Sequence, residues 1–166
     1  MRLNESIVVS APPKLVWDYL ADPSNYLHFM SGITRWEVVG EQRSGLGARY
    51  RMLIRVGSAE VGGLIEIVEW DERRDMAWSS VLGVDQRGRW RVREQEDGRT
   101  KVELRFAYGV AGSGIPGRIA ELVAAPQLGN HLRRSLRQLK RQVEHERLRA
   151  EAARRKRERA MAEARG

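Results

Sequence analysis

Residues 85–100, DQRGRWRVREQEDGRT, place arginine at 87, 89, 91 and 93, every second residue. Such a row is either a comb of cations aimed at nucleic acid or the outer face of a strand. The intervening residues decide between the two. Gly88, Trp90 and Val92 take the other side of the alternation, which is the pattern of an antiparallel strand with one wet and one dry face. The run that follows agrees: Val102, Leu104, Phe106 and Tyr108 share one face, and Lys101, Glu103 and Arg105 share the other. Glu94 and Glu103 can offset arginines across strands. Sheets that bind nucleic acid interleave aromatics with the cations, for stacking. Here the aromatics lie opposite the cations, so nucleic acid is not expected as a partner.

Five more runs of this kind flank it or precede it. Together ITRWEVVG (33–40), GARYRMLIRV (47–56), AEVGGLIEIVEW (59–70), DMAWSSVLG (75–83), RGRWRVREQ (87–95) and TKVELRFAYGV (100–110) make six candidate strands. The links between them are too short for parallel crossovers, so neighbours are antiparallel. Upstream, LNESIVVS (3–10) reads as a first strand. Pro12 and Pro13 suit a helix start, where a missing N–H costs nothing, and Leu15, Val16, Tyr19 and Leu20 then share a helical face. DPSNYLHFM (22–30) opens a second short helix, capped by Asp22 with Pro23 in its first turn, and Gly32 ends it. Downstream, Ile119, Leu122 and Val123 begin an apolar helical face, Pro126 should kink it, and Leu128, Leu132, Leu136, Leu139 and Val143 continue it. After Val143 the apolar face vanishes.

The 166 residues suit one domain, and 42% are hydrophobic, enough for a packed core or a cavity. Cysteine is absent, which excludes disulfides, thiolate nucleophiles and zinc–thiolate sites. No signal peptide and no membrane-length apolar run is visible, so a cytoplasmic protein is expected. Residues 131–166 hold thirteen Lys+Arg against five Asp+Glu, which is the whole net charge of +8, and residues 1–130 balance. The body is neutral and the basic excess belongs to the last helix. Its helix propensity is high, but it has nothing to bury. The preference for Arg over Lys and the abundance of Ala suggest a bacterial source.

The order strand, two short helices, six-stranded meander, long C-terminal helix is that of the helix-grip fold. SIVVSAPPKLVWDYLADPSNYLHFMSGITRWEVV (6–39) resembles the opening of the polyketide cyclase/dehydrase and lipid-transport family, part of the START-like superfamily that includes the birch pollen allergen. Its elements are an apolar strand, Ala-Pro, a Val-Trp helix, then Asp-Pro and an aromatic. GLIEIVEWDERRDMAWSS and GRWRVREQEDGRTKVELRFAY resemble the later strands, with Gly-x-Trp and Gly-x-Thr-x-Val. The resemblance spans about residues 3–146. It implies an α+β chain: a curved antiparallel sheet of about seven strands wrapped around a long C-terminal helix. A START-like domain would then cover 1–146 and a basic helical tail 147–166. It also implies a hydrophobic ligand (lipid, quinone or polyketide-like) held between sheet and helix. By position its walls would be Tyr26, Phe29, Trp36, Tyr50, Leu64, Val68, Trp78, Trp90, Phe106, Tyr108, Leu122 and Leu132.

Candidate chemistry is sparse. GSGIPG (112–117) matches a dinucleotide fingerprint, but that motif needs a βαβ unit and an acidic residue about 20 positions on. The preceding strand ends an antiparallel meander and the region near 137 is basic, so a loop at the cavity mouth is the better reading. No cofactor is expected. No histidine–carboxylate cluster has metal-ligand spacing, and no Gly-x-Ser-x-Gly elbow is present. His131 and His145 fall on the basic helix and are expected to be solvated. In a cyclase, His28, Tyr26 and Tyr108 would be the proton-transfer candidates. Glu66 and Glu69 fall on opposite faces of a regular strand, so one should point inward, with Arg51 its simplest partner.

Three functions fit these observations. One is a module that binds or transports a hydrophobic small molecule, favoured by the shortage of convergent polar groups. Another is a cyclase/dehydratase-type enzyme using the same cavity. The third is a regulatory or interaction protein acting through the basic C-terminal helix. That helix can gain solubility from pairs such as Glu151–Arg155, meet anionic membrane headgroups or, third in order, contact a nucleic-acid backbone.

Overall fold

A computed structural model describes residues 2–109 and 126–164. Strand β1 (Arg2–Val9) is followed by helix α1 (Pro13–Ala21), a 3-10 turn (Pro23–Asn25) and helix α2 (Tyr26–Phe29). Six strands then form the meander: β2 (Ile33–Val39), β3 (Arg49–Val56), β4 (Ala59–Asp71), β5 (Asp75–Gly83), β6 (Gln86–Glu94) and β7 (Thr100–Tyr108). Helix α3 (Pro126–Glu163) follows. The seven strands make one antiparallel sheet in the order β1-β7-β6-β5-β4-β3-β2. This is the helix-grip arrangement expected from the sequence. Leu122, the GSGIPG motif and residues 119–123 lie outside the described residues, and the kink expected at Pro126 falls at their edge.

Local chemistry explains the early elements. Pro13 opens α1 without needing its missing N–H. Asp22 accepts from both the backbone N–H (2.9 Å) and the hydroxyl (2.7 Å) of Ser24, which starts the turn into α2. The core then forms where α1 and α2 meet the sheet and one face of α3. Val16, Leu20, Phe29, Trp90, Leu104, Leu139 and Val143 are each almost entirely removed from water.

The sheet bends hardest at β4. Gly62 and Gly63 have φ of 153° and 156°, and a Cβ at either would meet the carbonyl oxygen of Met52 or Leu82. Only glycine allows strands β3, β4 and β5 to approach so closely there. Register shifts between Leu64 and Ile65, and between Ile67 and Glu69, add irregularities on the same strand.

Three expectations on this strand are corrected. Ile65 and Ile67 fill the core, not Leu64 and Val68. Leu64 pairs with Arg51 and alternates with Glu66, whose carboxylate binds Arg49 at 2.6 Å on the outer face. Val68 is 52% exposed at the bulge. Because the bulge adds a residue between them, Glu66 and Glu69 both face outward. Glu69 takes Arg89, so neither needs Arg51.

Helix α3 is held across the sheet's concave side. Lys140 Nζ donates to the Val8 carbonyl (2.9 Å) and to Glu144 (2.6 Å), and Glu144 accepts the Ser10 N–H (2.8 Å). Arg133 pairs with Glu5 at 2.9 Å. On the other side the Ser31 N–H donates to Ser135 Oγ (2.8 Å), and Ser31 Oγ meets His131 Nδ1 (3.0 Å). His131 is therefore not a solvated histidine. It packs against Gly32, where an added Cβ would come within 2.8 Å of its ring. Burial, and then Arg134, hold its pKa below the usual histidine value. The last buried residue of α3 is Val143, and 20 further residues reach Glu163 as exposed or half-exposed helix.

Candidate ligand cavity

The concave side of the sheet carries the aromatic set. Tyr26 lies flat on Trp36, with ring centroids 4.2 Å apart and an interplanar angle of 4°, and Trp36 stacks on Tyr50 at 5.0 Å. Phe29 meets Trp90 edge-on at 6.0 Å. Trp78, Phe106 and Tyr108 continue the row toward the other end of the helix, with centroids 6.4 and 5.7 Å apart. Offset and edge contacts of this type lock the rings in place.

Among the described residues, two small cavities lie between this row and α3. One, about 20 Å³, is bounded by Tyr26, Trp36, Met52, Trp78 and Leu132 among others. The other, about 30 Å³, is bounded by Val56, Val84, Gln86 and Tyr108. Ile54, Phe106 and Leu128 border both and divide them. Each cavity has room for a water or two.

The expected wall residues separate into groups. Tyr26, Trp36, Trp78, Phe106, Tyr108 and Leu132 border the cavities. Phe29, Tyr50 and Trp90 are buried behind them and fill the core. Leu64 and Val68 are on the other side of the sheet. Met30, Met52, Leu128 and above all Gln86 were missed. Gln86 reads as a turn residue in VDQ, yet it begins β6 and is 3% exposed. Extending the alternation Gly88, Trp90, Val92 back by one step would have put it inside.

The polar atoms on this lining are unusual. The indole N–H groups of Trp36 and Trp78 and the side-chain oxygen of Gln86 are buried with no hydrogen-bond partner among the described residues. Buried polar atoms are nearly always paired, and an unpaired one costs about 1–3 kcal/mol. Two donors and one acceptor thus belong to residues that border an apolar space. Two phenols also reach it. Burial, with Tyr50 nearby, pushes the Tyr26 hydroxyl well up, which the neighbouring Trp90 indole offsets only in part. Burial likewise raises Tyr108. Behind the cavities, Tyr50 is raised to about 12 by burial, and its hydroxyl donates to the Arg43 carbonyl at 2.6 Å. Both phenols stay protonated at neutral pH and cannot abstract a proton, and the Tyr26 hydroxyl is directed at Met76 Sδ, 3.9 Å away. His28 is exposed on the outer side of α2 and does not reach the cavities. Among the described residues no group of three or more His, Cys, Asp or Glu could hold a metal ion.

Residues 1–144 match the model of the family described as polyketide cyclase / dehydrase and lipid transport. The chain belongs to that family. Its fold is close to that of several solved structures. TTHA0849 from Thermus thermophilus superposes with a TM-score of 0.71 at 21% identity, covering 86% of this chain and 97% of that one. The Zhui aromatase/cyclase from Streptomyces sp. R1128 gives 0.69 at 21% identity, covering 87% and 93%. A START superfamily protein from Mycobacterium smegmatis gives 0.65 at 14% identity, covering 87% and 97%. No curated protein sequence matches. At these identities the likeness carries the fold, and function must be argued from the cavity. Among the described residues no helix is long and apolar enough to cross a membrane.

Proposed function

We propose that this family member binds a hydrophobic small molecule, a lipid, quinone or polyketide-like compound, between the sheet and α3. One observation carries the reading: Trp36, Trp78 and Gln86 hold unpartnered polar atoms on an otherwise apolar lining. A mostly apolar ligand with one or two oxygens would pair them while burying its remaining surface. The space for it comes from displacement. Phe106, Leu128 and Ile54 separate the two cavities, and Met30 and Met52 adjoin them with adaptable side chains. Moving Phe106 and Leu128 joins the cavities into one slot running from Trp36 to Gln86.

Binding without chemistry is the simpler form of this reading. Among the described residues only Tyr26 and Tyr108 are titratable groups on the lining, and neither can act as a base near neutrality. A cyclase or dehydratase working here would use these phenols as proton donors. The projecting end of α3 takes a separate role in this proposal. Residues 147–166 carry eight Lys+Arg against three Asp+Glu and no apolar stripe, which suits contact with anionic lipid headgroups at about 1 kcal/mol per basic residue near the surface.

The test is native mass spectrometry of the purified full chain, then organic extraction and identification of what is released. A co-purifying apolar molecule near one equivalent supports the reading and names the ligand class. A ligand-free mass that persists after incubation with a broad lipid and quinone extract rejects it.

A further inference from the structure

A large concavity lies not inside the sheet but on its outer face. A trough of about 750 Å³ crosses β4, β5, β6, β7 and β1. Strand register lays out its chemistry. One cross-strand row runs Arg2, Ala107, Arg87, Ser79, and the next runs Asn4, Arg105, Arg89, Ala77. Small residues therefore form the floor, and four arginines stand around it. Arg89 is held by both oxygens of Glu69, and Arg105 pairs with Glu103. Arg2 and Arg87 have no ion pair among the described residues. Arg89 and Arg105 sit directly opposite one another on the same face. Each of these two already has its own carboxylate, so the cations left for a bound anion are Arg2 and Arg87.

We propose that this trough binds a small phosphate-bearing molecule. Adjacent strands are about 4.8 Å apart, so Arg2 and Arg87 flank Ala107 at about 10 Å between backbones. Both guanidinium groups can reach one phosphate lying over the Ala107 methyl, with Arg105 two residues along the same strand. Guanidinium matches phosphate in a two-bond fork, which an ammonium cannot do. The Ser79 hydroxyl and Asn4 amide on the same rows supply further donors. The two aromatic residues that border the trough, Trp78 and Phe106, belong to the inner-face alternation and also line the interior cavity, so the outer positions offer no ring for a nucleobase or single strand to stack on. Its concavity suits a discrete molecule better than a flat bilayer. The site is chemically unlike the apolar interior and does not depend on what the interior holds.

Titration calorimetry of the full chain with sodium pyrophosphate and with inorganic phosphate at low salt tests this. One pyrophosphate is expected per chain. Arg87→Gln and Arg2→Gln should each weaken it about 5- to 20-fold, the loss expected for one charge-assisted contact. Both residues lie on the outer face, so unchanged melting temperatures will show that the variants fold. Arg155→Gln with Arg157→Gln, on the projecting helix, should leave pyrophosphate binding intact. The proposal is overturned by no binding at about 10 mM pyrophosphate, weaker than any useful affinity, or by binding that ignores Arg2 and Arg87. It is also overturned if Arg87→Gln weakens binding to phosphatidylglycerol vesicles while pyrophosphate does not bind, since the face would then be a membrane contact.

Discussion

The indole of Trp78 lies across Gly88, its cross-strand partner, in the space that a Cβ on residue 88 would fill. Gly88 is needed for room, since its φ is not among the positive values. Its absent side chain lets Trp78 lie over the sheet beside the cavity. Gly88→Ala should displace that ring and destabilise the protein by about 1–3 kcal/mol, as overpacking in a close-packed interior does. Urea unfolding followed by tryptophan fluorescence measures both effects. An unchanged midpoint and emission maximum would show that the contact is not tight.

Gln86 offers the complementary experiment. Replacing it with methionine removes a buried oxygen that lacks a partner and keeps the volume. Gln86→Met should raise stability of the empty protein by about 1 kcal/mol. The same change should weaken binding of an oxygen-bearing ligand about 5- to 10-fold. Thermal melts and ligand titration on one preparation report the two opposite effects. If stability falls and affinity is untouched, the amide is structural.

Asp75 sets the acid limit of the sheet. Burial pushes its carboxyl up, but hydrogen bonds and charge from Arg93 and Arg91 outweigh this and hold it below the usual aspartate value. Arg93 lies 2.7 Å away and Arg91 3.2 Å. A lowered native pKa means that the unfolded chain binds the proton more tightly. The stabilisation is therefore full above the ordinary aspartate range, about pH 4, and is lost as pH falls below it. Asp75→Asn should cost about 1–2 kcal/mol at pH 7 and much less near pH 3, when measured by urea midpoints across that range.

His131 works in the same direction at higher pH. Its pKa is lowered in the folded protein, so protonation favours the unfolded chain. Stability should be full above the ordinary histidine value of about 6.5 and decline as pH falls below it. A proton NMR titration should find the His131 ring resonance turning below about pH 6.5. His131→Gln should remove that part of the pH dependence.

Deleting 147–166 should leave unfolding midpoints within about 0.5 kcal/mol of the full chain, because nothing past Val143 is buried. Binding to phosphatidylglycerol vesicles at low salt should fall about tenfold or more. Vesicle sedimentation at two ionic strengths measures this. Equal binding by both forms would remove the tail from the membrane role.

The strands and their antiparallel order were legible because hydrophobic alternation has a fixed period, and RGRWRVRE shows it without interruption. The apolar stripe from Leu128 to Val143 placed the long helix for the same reason. What alternation could not show was the bulge beside Val68, where an extra residue resets the phase and turns Glu69 outward. Nor could it divide the aromatics. Trp90 and Trp78 sit on the same face, and only their neighbours make one core and the other lining. His131 was misread because helix charge was weighed and the Gly32 turn packed against it was not. The tail's pairs, Arg147–Glu151 and Arg154–Glu158, show that salt-bridge register within a charged run follows rotamers that composition does not encode.

Helix α3 has 38 residues and is therefore about 57 Å long. A compact chain of this size has a radius of gyration near about 15 Å. A rod standing about 30 Å clear of such a body raises hydrodynamic drag without adding subunits. On a sizing column calibrated with globular standards, a single 19.0 kDa chain should elute early, at the position of a heavier particle. Light scattering, which weighs the particle without reference to its shape, should return the mass of one chain at that early position if the protein is a monomer.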